Sequence, residues 1–254
     1  MDQKNSCQTV NKQEIITHNI HFLQEKVNYL SQKYRPKQNP TKLMAVCKKA
    51  SVQEILYAYQ AGIRLFGENY IQSAQEKLPV LYQEHHLSKE LFHFIGHLQS
   101  NKIKKATELF SSLDAIDSLE LAQQISKKYS PINEPLSIYI EVNTSMETTK
   151  FGFNPDNLLL FMDKIVFLEN IKVCGLMTMG PLNGKEVDNR RSFSLLRNLK
   201  EELEKRYSFA SLGLSMGMSE DYQWAIQEGS DLIRIGRGIF GEESVVNEQV
   251  CRLV

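Results

Sequence analysis

The chain has 254 residues, and its 30 Lys+Arg are balanced by 30 Asp+Glu, so the formal net charge at neutral pH is zero. That balance offers no electrostatic footprint for nucleic acid or an anionic membrane, and no apolar run is long enough to span a bilayer. The four cysteines, Cys7, Cys47, Cys174 and Cys251, form no C-x-x-C pair, which predicts a reducing, cytoplasmic setting and no disulfide framework.

Residues 1–11 read as a flexible polar tail without a signal-peptide apolar region, and 12–254 as one domain. Ile16, Ile20, Leu23, Val27, Leu30 and Tyr34 recur at steps of four and three, the apolar face of a long helix. Pro36 to Pro40 is a linker. Strands and helices then alternate. Strands are expected at Leu43 to Lys48, Leu65 to Asn69, Leu91 to Gly96, Ser112 to Ile116, Leu136 to Asn143, Val173 to Met179, Leu212 to Met216 and Leu232 to Gly236. Helices are expected at Val52 to Ala61 (closed by Gly62), Ile71 to Gln83, Asn101 to Leu109, Leu119 to Tyr129, Asn154 to Leu168, Ser192 to Tyr207, and from a Ser219 cap to Glu228.

Eight strands alternating with helices in a chain of this length predict a single-domain (β/α)₈ TIM barrel with an extra N-terminal helix. A doubly wound open sheet is the alternative. In a barrel, the chemistry lies at the C-terminal ends of the strands. Those ends carry Lys48 and Lys49, Glu68 and Asn69, then His97, Gln99 and Asn101, then Glu141 and Asn143, Ser215 and Ser219, and finally Arg234. A desolvated lysine there can form a Schiff base, although a solvated charge ending a strand is the commoner reading of Lys48. Arg234 interrupts an apolar strand and needs a partner, because an unpaired buried guanidinium is costly. Gly236 and Gly238 after it, and the Ser215 to Ser219 turn before a helix, can present amides to an anion. Lysine, two anion-binding turns and a buried arginine suggest an aldehyde carrying a phosphate. Pyridoxal phosphate fits, with the lysine on its aldehyde carbon, the turns on its phosphate and Arg234 facing the pyridine nitrogen. His93 and His97 belong to a strand and turn, so they do not share a helix face as zinc-ligating histidines do.

Several stretches together resemble the pyridoxal phosphate homeostasis protein family, small single-barrel relatives of alanine racemase. They are Ala45-Val46-Cys47-Lys48, Phe66-Gly67-Glu68-Asn69-Tyr70, His93 to Lys102, Gly175-Leu176-Met177, Leu214-Ser215-Met216-Gly217-Met218-Ser219 and Arg234-Ile235-Gly236. The resemblance implies that Lys48, rather than Lys49, holds the cofactor as an internal aldimine. It also implies that Asn69 lies beside the ring, that Ser215, with Met216 next to it, and Gly236 hold the phosphate, and that Arg234 meets the pyridine nitrogen. Arg237 departs from the small hydroxyl residue usual there. Its amide can still serve the phosphate, while its side chain is open between a charge-assisted contact and an outward course. The expected function is a pyridoxal phosphate carrier in vitamin B6 homeostasis, delivering to apo-enzymes and acting as a monomer or weak homodimer. A weakly active amino-acid racemase or lyase, and a lysine-dependent sugar-phosphate isomerase or aldolase, are the alternatives.

Overall fold

The computed structural model describes residues 11–130 and 134–241. Most of the expected tail, with Cys7, and the segment carrying Cys251 lie outside the described residues. Asn11 is not tail. It caps helix α1, Lys12–Tyr34, by accepting the Gln13 amide at 3.1 Å. Ile16, Ile20, Leu23, Val27 and Leu30 are all buried, so the periodic stripe is the packed face as far as Leu30, while Tyr34 at its end is exposed.

Strands β1 (Lys42–Val46), β2 (Phe66–Glu68), β3 (Phe92–Phe94), β4 (Ser112–Ile116), β5 (Leu136–Glu141), β6 (Ile171–Met177), β7 (Gly213–Ser215) and β8 (Leu232–Ile235) pair in chain order, all parallel. β8 returns to β1 with Lys42 opposite Leu232 and Ala45 opposite Ile235, which closes the barrel and excludes the open sheet. Between the strands run α2 (Val52–Gln60), α3 (Ile71–Gln83), α4 (Ile103–Leu109), α5 (Leu119–Lys128), α6 (Leu158–Ile165), α7 (Glu186–Tyr207), α8 (Tyr222–Gln227) and a short α9 (Arg237–Phe240). The main apolar core lies between the strands and these helices, with Phe66, Phe92, Phe94, Phe110 and Phe193 among its largest members.

At the bottom of the barrel the buried Arg35 guanidinium donates to Thr41 Oγ1 (2.8 Å) and the Ser230 carbonyl and pairs with Asp231. It thereby ties the end of α1 to the loops entering β1 and β8.

Three sequence expectations need correction. Ser219 does not cap α8. That helix starts at Tyr222 after Asp221, whose carboxylate instead accepts the Met218 amide at 2.5 Å within the preceding turn. The helix expected from Ser192 begins earlier, at Glu186, with acidic residues in its first turn; Glu186 to Arg191 is almost wholly polar, so no apolar stripe marks this start in the sequence. The helix expected from Asn154 opens as a 3₁₀ turn, Pro155–Asn157, before α6.

Candidate functional site

β1 presents Met44 in register with Arg234 of β8, so the two side chains share the inner face of the barrel. Gly67 leaves room for Met44: a Cβ there would come within 2.6 Å of its sulfur. Gly175 and Gly213 likewise make space for the Tyr139 ring. Asp114 is fully buried, holds His93 Nδ1 at 2.8 Å and accepts from Ser112 Oγ. It adds a charge that Arg234 feels. The barrel interior is therefore partly polar.

Arg234 is 5% exposed, and its guanidinium donates to Ser215 Oγ and to the Thr178 carbonyl, both at 2.7 Å. Both partners are neutral. Burial pulls its pKa down, while Asp221, Glu141 and Asp114 pull it up from beyond ion-pair distance. The carboxylate salt bridge that a purely structural arginine would need is absent among the described residues. Ser215 is fully buried, with its hydroxyl oxygen facing this guanidinium. Met216 is also buried, and its amide is taken by the Leu232 carbonyl at 3.0 Å.

The next turn is shaped for close approach. Gly217 has φ +99°, and a Cβ there would stand 2.6 Å from Ala225 Cβ. The glycines after β8 serve differently. Gly236 has a negative φ and precedes the single turn of α9, whose first amides, those of Arg237 and Gly238, have no acceptor among the described residues. The two turns adjoin, since a Cβ on Gly238 would lie 3.8 Å from Ser219 Oγ. The Arg237 side chain reaches outward to Glu220 Oε1 at 2.6 Å, with both residues well exposed. Its backbone N–H is what it offers inward.

Across the mouth, Lys48 and Lys49 form an exposed turn directly after β1. β1 ends at Val46, so the alternation of the strand does not reach this turn and does not choose between residues 48 and 49. Asn69 directly follows β2. Its amide is held at 2.8 Å by Glu68 Oε1, and its side-chain Oδ1 is buried without a partner. A buried carbonyl without a donor is uncommon and marks a place for a ligand or water. Gly96 packs directly on the Asn69 carbonyl, and any Cβ there would collide with it.

Pyridoxal phosphate fits this arrangement. The unpartnered Asn69 oxygen and the free amides that open α9 ask for a polar, anionic guest, and Lys48 and Arg234 lie on the same barrel end. Lys48, Asn69, Ser215, Gly236, the Arg237 amide and Arg234 are the residues able to hold it.

Sequence reasoning placed Glu141 at a strand end without giving it a role, and passed over two further features. Glu141 is 4% exposed, and its carboxyl is pushed up to about 7, first by burial and then by Asp117, against Arg234 and His97. Its position at the end of a strand was the available signal. His93 and His97 each have an aspartate partner from the next strand or the residue after it: His93 with Asp114, and His97 with Asp117 at 2.7 Å, the His97 ring also stacking on Phe151. No group of three or more His, Cys, Asp or Glu suited to a metal occurs among the described residues. Lys77 on α3 pairs with Glu68 beneath the mouth. Among the described residues no helix is long and apolar enough to cross a membrane.

The model of the alanine racemase N-terminal domain family matches residues 18–244. Similar curated proteins include the pyridoxal phosphate homeostasis protein of Vibrio cholerae, 39% identical over 89% of this chain and 96% of that protein. The human protein of the same name is 36% identical over 82% of this chain and 80% of its own length. Among solved structures, an unknown protein from Bifidobacterium adolescentis is 30% identical, with a TM-score of 0.83 over 93% of this chain and all of that one. PipY of Synechococcus elongatus, solved with PLP bound, is 29% identical, with a TM-score of 0.75 over 89% of this chain and all of its own. Alanine racemase of Corynebacterium glutamicum shares the fold at 16% identity and a TM-score of 0.67, this chain covering 62% of it. The chain belongs to the pyridoxal phosphate homeostasis protein family, within the alanine racemase N-terminal domain family.

Proposed function

We propose that the protein binds pyridoxal phosphate as a Schiff base on Lys48 and serves pyridoxal phosphate homeostasis, holding and handing on the cofactor without substantial turnover. The observation that carries the reading is Arg234, a buried guanidinium inside the barrel whose hydrogen-bond partners are both neutral. Similarity to the homeostasis proteins and to PipY with PLP bound supports it. When bound, the cofactor supplies a reactive aldehyde and a pyridine ring that can draw electrons. The chain's own groups set how far that capacity is used. Arg234 cannot give up its proton at ordinary pH, so at the ring nitrogen it offers no proton and keeps the ring a weak electron sink. The Gly217 turn, Gly236 and the Arg237 amide bind the phosphate through backbone, and the Asn69 oxygen orients the ring edge. Tyr70 is 58% exposed, and its phenol has no hydrogen-bond partner among the described residues, so nothing holds it as an acid–base group. On this reading the recipients are apo-enzymes in the cytoplasm, and the carrier acts as a monomer or weak homodimer.

A weakly active amino-acid racemase or lyase is the second reading, and Glu141 favours it: a buried carboxyl near pH 7 at the barrel mouth can exchange protons. Borohydride reduction of cofactor-saturated protein, followed by peptide mapping, tests the first reading. The adduct should fall on Lys48, and an adduct on Lys49, or none, sinks it. Amino-acid α-protons should exchange negligibly in deuterated water, whereas racemase-like exchange would move the conclusion to the enzyme.

A further inference from the structure

α3 carries a lysine where an apolar residue would serve packing better. Lys77 is 9% exposed and lies between α3 and the barrel wall. Its ammonium has three protons to place, and all three have acceptors: Glu68 Oε2 at 2.6 Å, the Cys47 carbonyl at 2.8 Å and the Ala50 carbonyl at 3.4 Å. Glu68, 1% exposed, is equally committed. Oε1 accepts the amides of Asn69 (2.8 Å) and Tyr70 (3.2 Å), and Oε2 accepts Ser73 Oγ besides Lys77. The ion pair thus holds four points of backbone. Two of them, Cys47 and Ala50, bracket the Lys48-Lys49 turn. The other two are Asn69 and its neighbour.

The energetics say why such a pair is worth noticing. Desolvating an ammonium and a carboxylate offsets most of their attraction, so a buried pair is often no more stabilising than well-packed apolar residues. Its distinct property is geometric, because each charge has a fixed set of oxygens or N–H groups to satisfy. Lys48 and Lys49 side chains are both exposed and have no hydrogen bond among the described residues. The turn closes through Ala50 N to Cys47 O at 3.0 Å, and Cys47 N reaches back to Gly67 O at 2.9 Å. Lys77 grips the same Cys47 carbonyl.

We propose that Lys77 and Glu68 are positioning residues: a buried ionic clamp that sets the turn after β1 so that Lys48, and not Lys49, meets the cofactor beside Asn69. The inference rests on the reading of Lys48 as the cofactor's lysine.

The test compares wild type with Lys77→Met/Glu68→Gln, in which a neutral oxygen still accepts the Asn69 and Tyr70 amides and no charge is left buried alone, and with Glu68→Gln alone, the harsher change because it leaves the Lys77 ammonium without its anion. With pyridoxal phosphate added, the double variant should bind about tenfold or more weakly, roughly the worth of one lost charge-assisted bond. After borohydride its adduct should divide between Lys48 and Lys49, and the pH midpoint of the bound cofactor's absorbance should move. Glu68→Gln should show the same changes, and the double variant, which strands no charge, keeps the test decisive if Glu68→Gln does not fold. Wild-type affinity with labelling confined to Lys48 in the folded variants overturns the clamp. A cofactor-free arm separates this from failure of the Lys48 reading. Amide exchange over residues 47–50 and 69–70 should speed up in the variants while the rest of the barrel keeps its protection. If wild type labels nowhere but that local loosening occurs, the cofactor reading has failed and the clamp stands as backbone geometry. If the loosening is absent, the clamp itself is refuted.

Discussion

Arg234 tests how a cation is tolerated inside a barrel. A guanidinium holding a buried carboxylate would cost about 3–5 kcal/mol to remove, because the anion would be left alone. Here the donors go to Ser215 Oγ and the Thr178 carbonyl, and the carboxylates act only from farther off. Arg234→Gln should therefore cost the cofactor-free protein only about 1–2 kcal/mol, the scale of ordinary hydrogen bonds. It should weaken pyridoxal phosphate binding at least as much. Denaturant unfolding and cofactor titration measure the two. An unfolding loss in the ion-pair range with unchanged affinity would make Arg234 a structural residue. Cys47, next to Lys48, is not a competing nucleophile: burial pushes its thiol up to about 12.

At the scale of elements, the site is made by strand ends that touch through backbone. Gly96, after β3, lies against the carbonyl of Asn69, which directly follows β2. Gly96→Ala has to push β2 and β3 apart at the mouth, an overpacking cost of about 1–3 kcal/mol. The displaced group is the backbone of Asn69, so cofactor affinity should fall with stability. Thermal unfolding with and without pyridoxal phosphate reads both, and an Ala variant with wild-type melting temperature and affinity would show that the contact relaxes freely. The adjoining turns after β7 and β8 work by the same economy. After β8 the amides left open are those of Arg237 and Gly238, which start α9 directly behind the strand, while after β7 the Met218 amide is taken by Asp221.

For the whole molecule, pH dependence follows from Glu141. Its carboxyl is raised from 4.5 to about 7, so between those values the folded protein keeps a proton that the unfolded chain has released. Stability then falls as pH rises through that window, and the cost, up to about 3 kcal/mol, is fully present above it. Cofactor-free Glu141→Gln should melt like wild type near pH 4.5 and at a distinctly higher temperature at about pH 8, because the neutral amide never charges. A thermal-unfolding series across pH checks this. An equal shift at both ends would mean that Glu141 acts through packing and not through its proton.

The barrel was legible in the chain because alternating apolar strands and periodic helices bury their faces locally, and those patterns need only near neighbours to be read. The last strand's arginine and the glycine turns were legible too, since a charge in an apolar run breaks the local rule visibly. Tertiary structure alone decided what those residues meet. The sequence could not say that Arg234 reaches Ser215 and Thr178, that Asn69 carries an unpartnered oxygen, or that Arg237 turns out to Glu220. Polar starts such as Glu186 to Arg191, and the start of α8 at Tyr222 without a capping side chain, leave no apolar period to find. The Lys77–Glu68 pair is nine residues apart on different elements, and both look like ordinary surface charges until β2 and α3 are packed together. Electrostatic meaning depends on burial and on distance through space, and neither is written in the order of the residues.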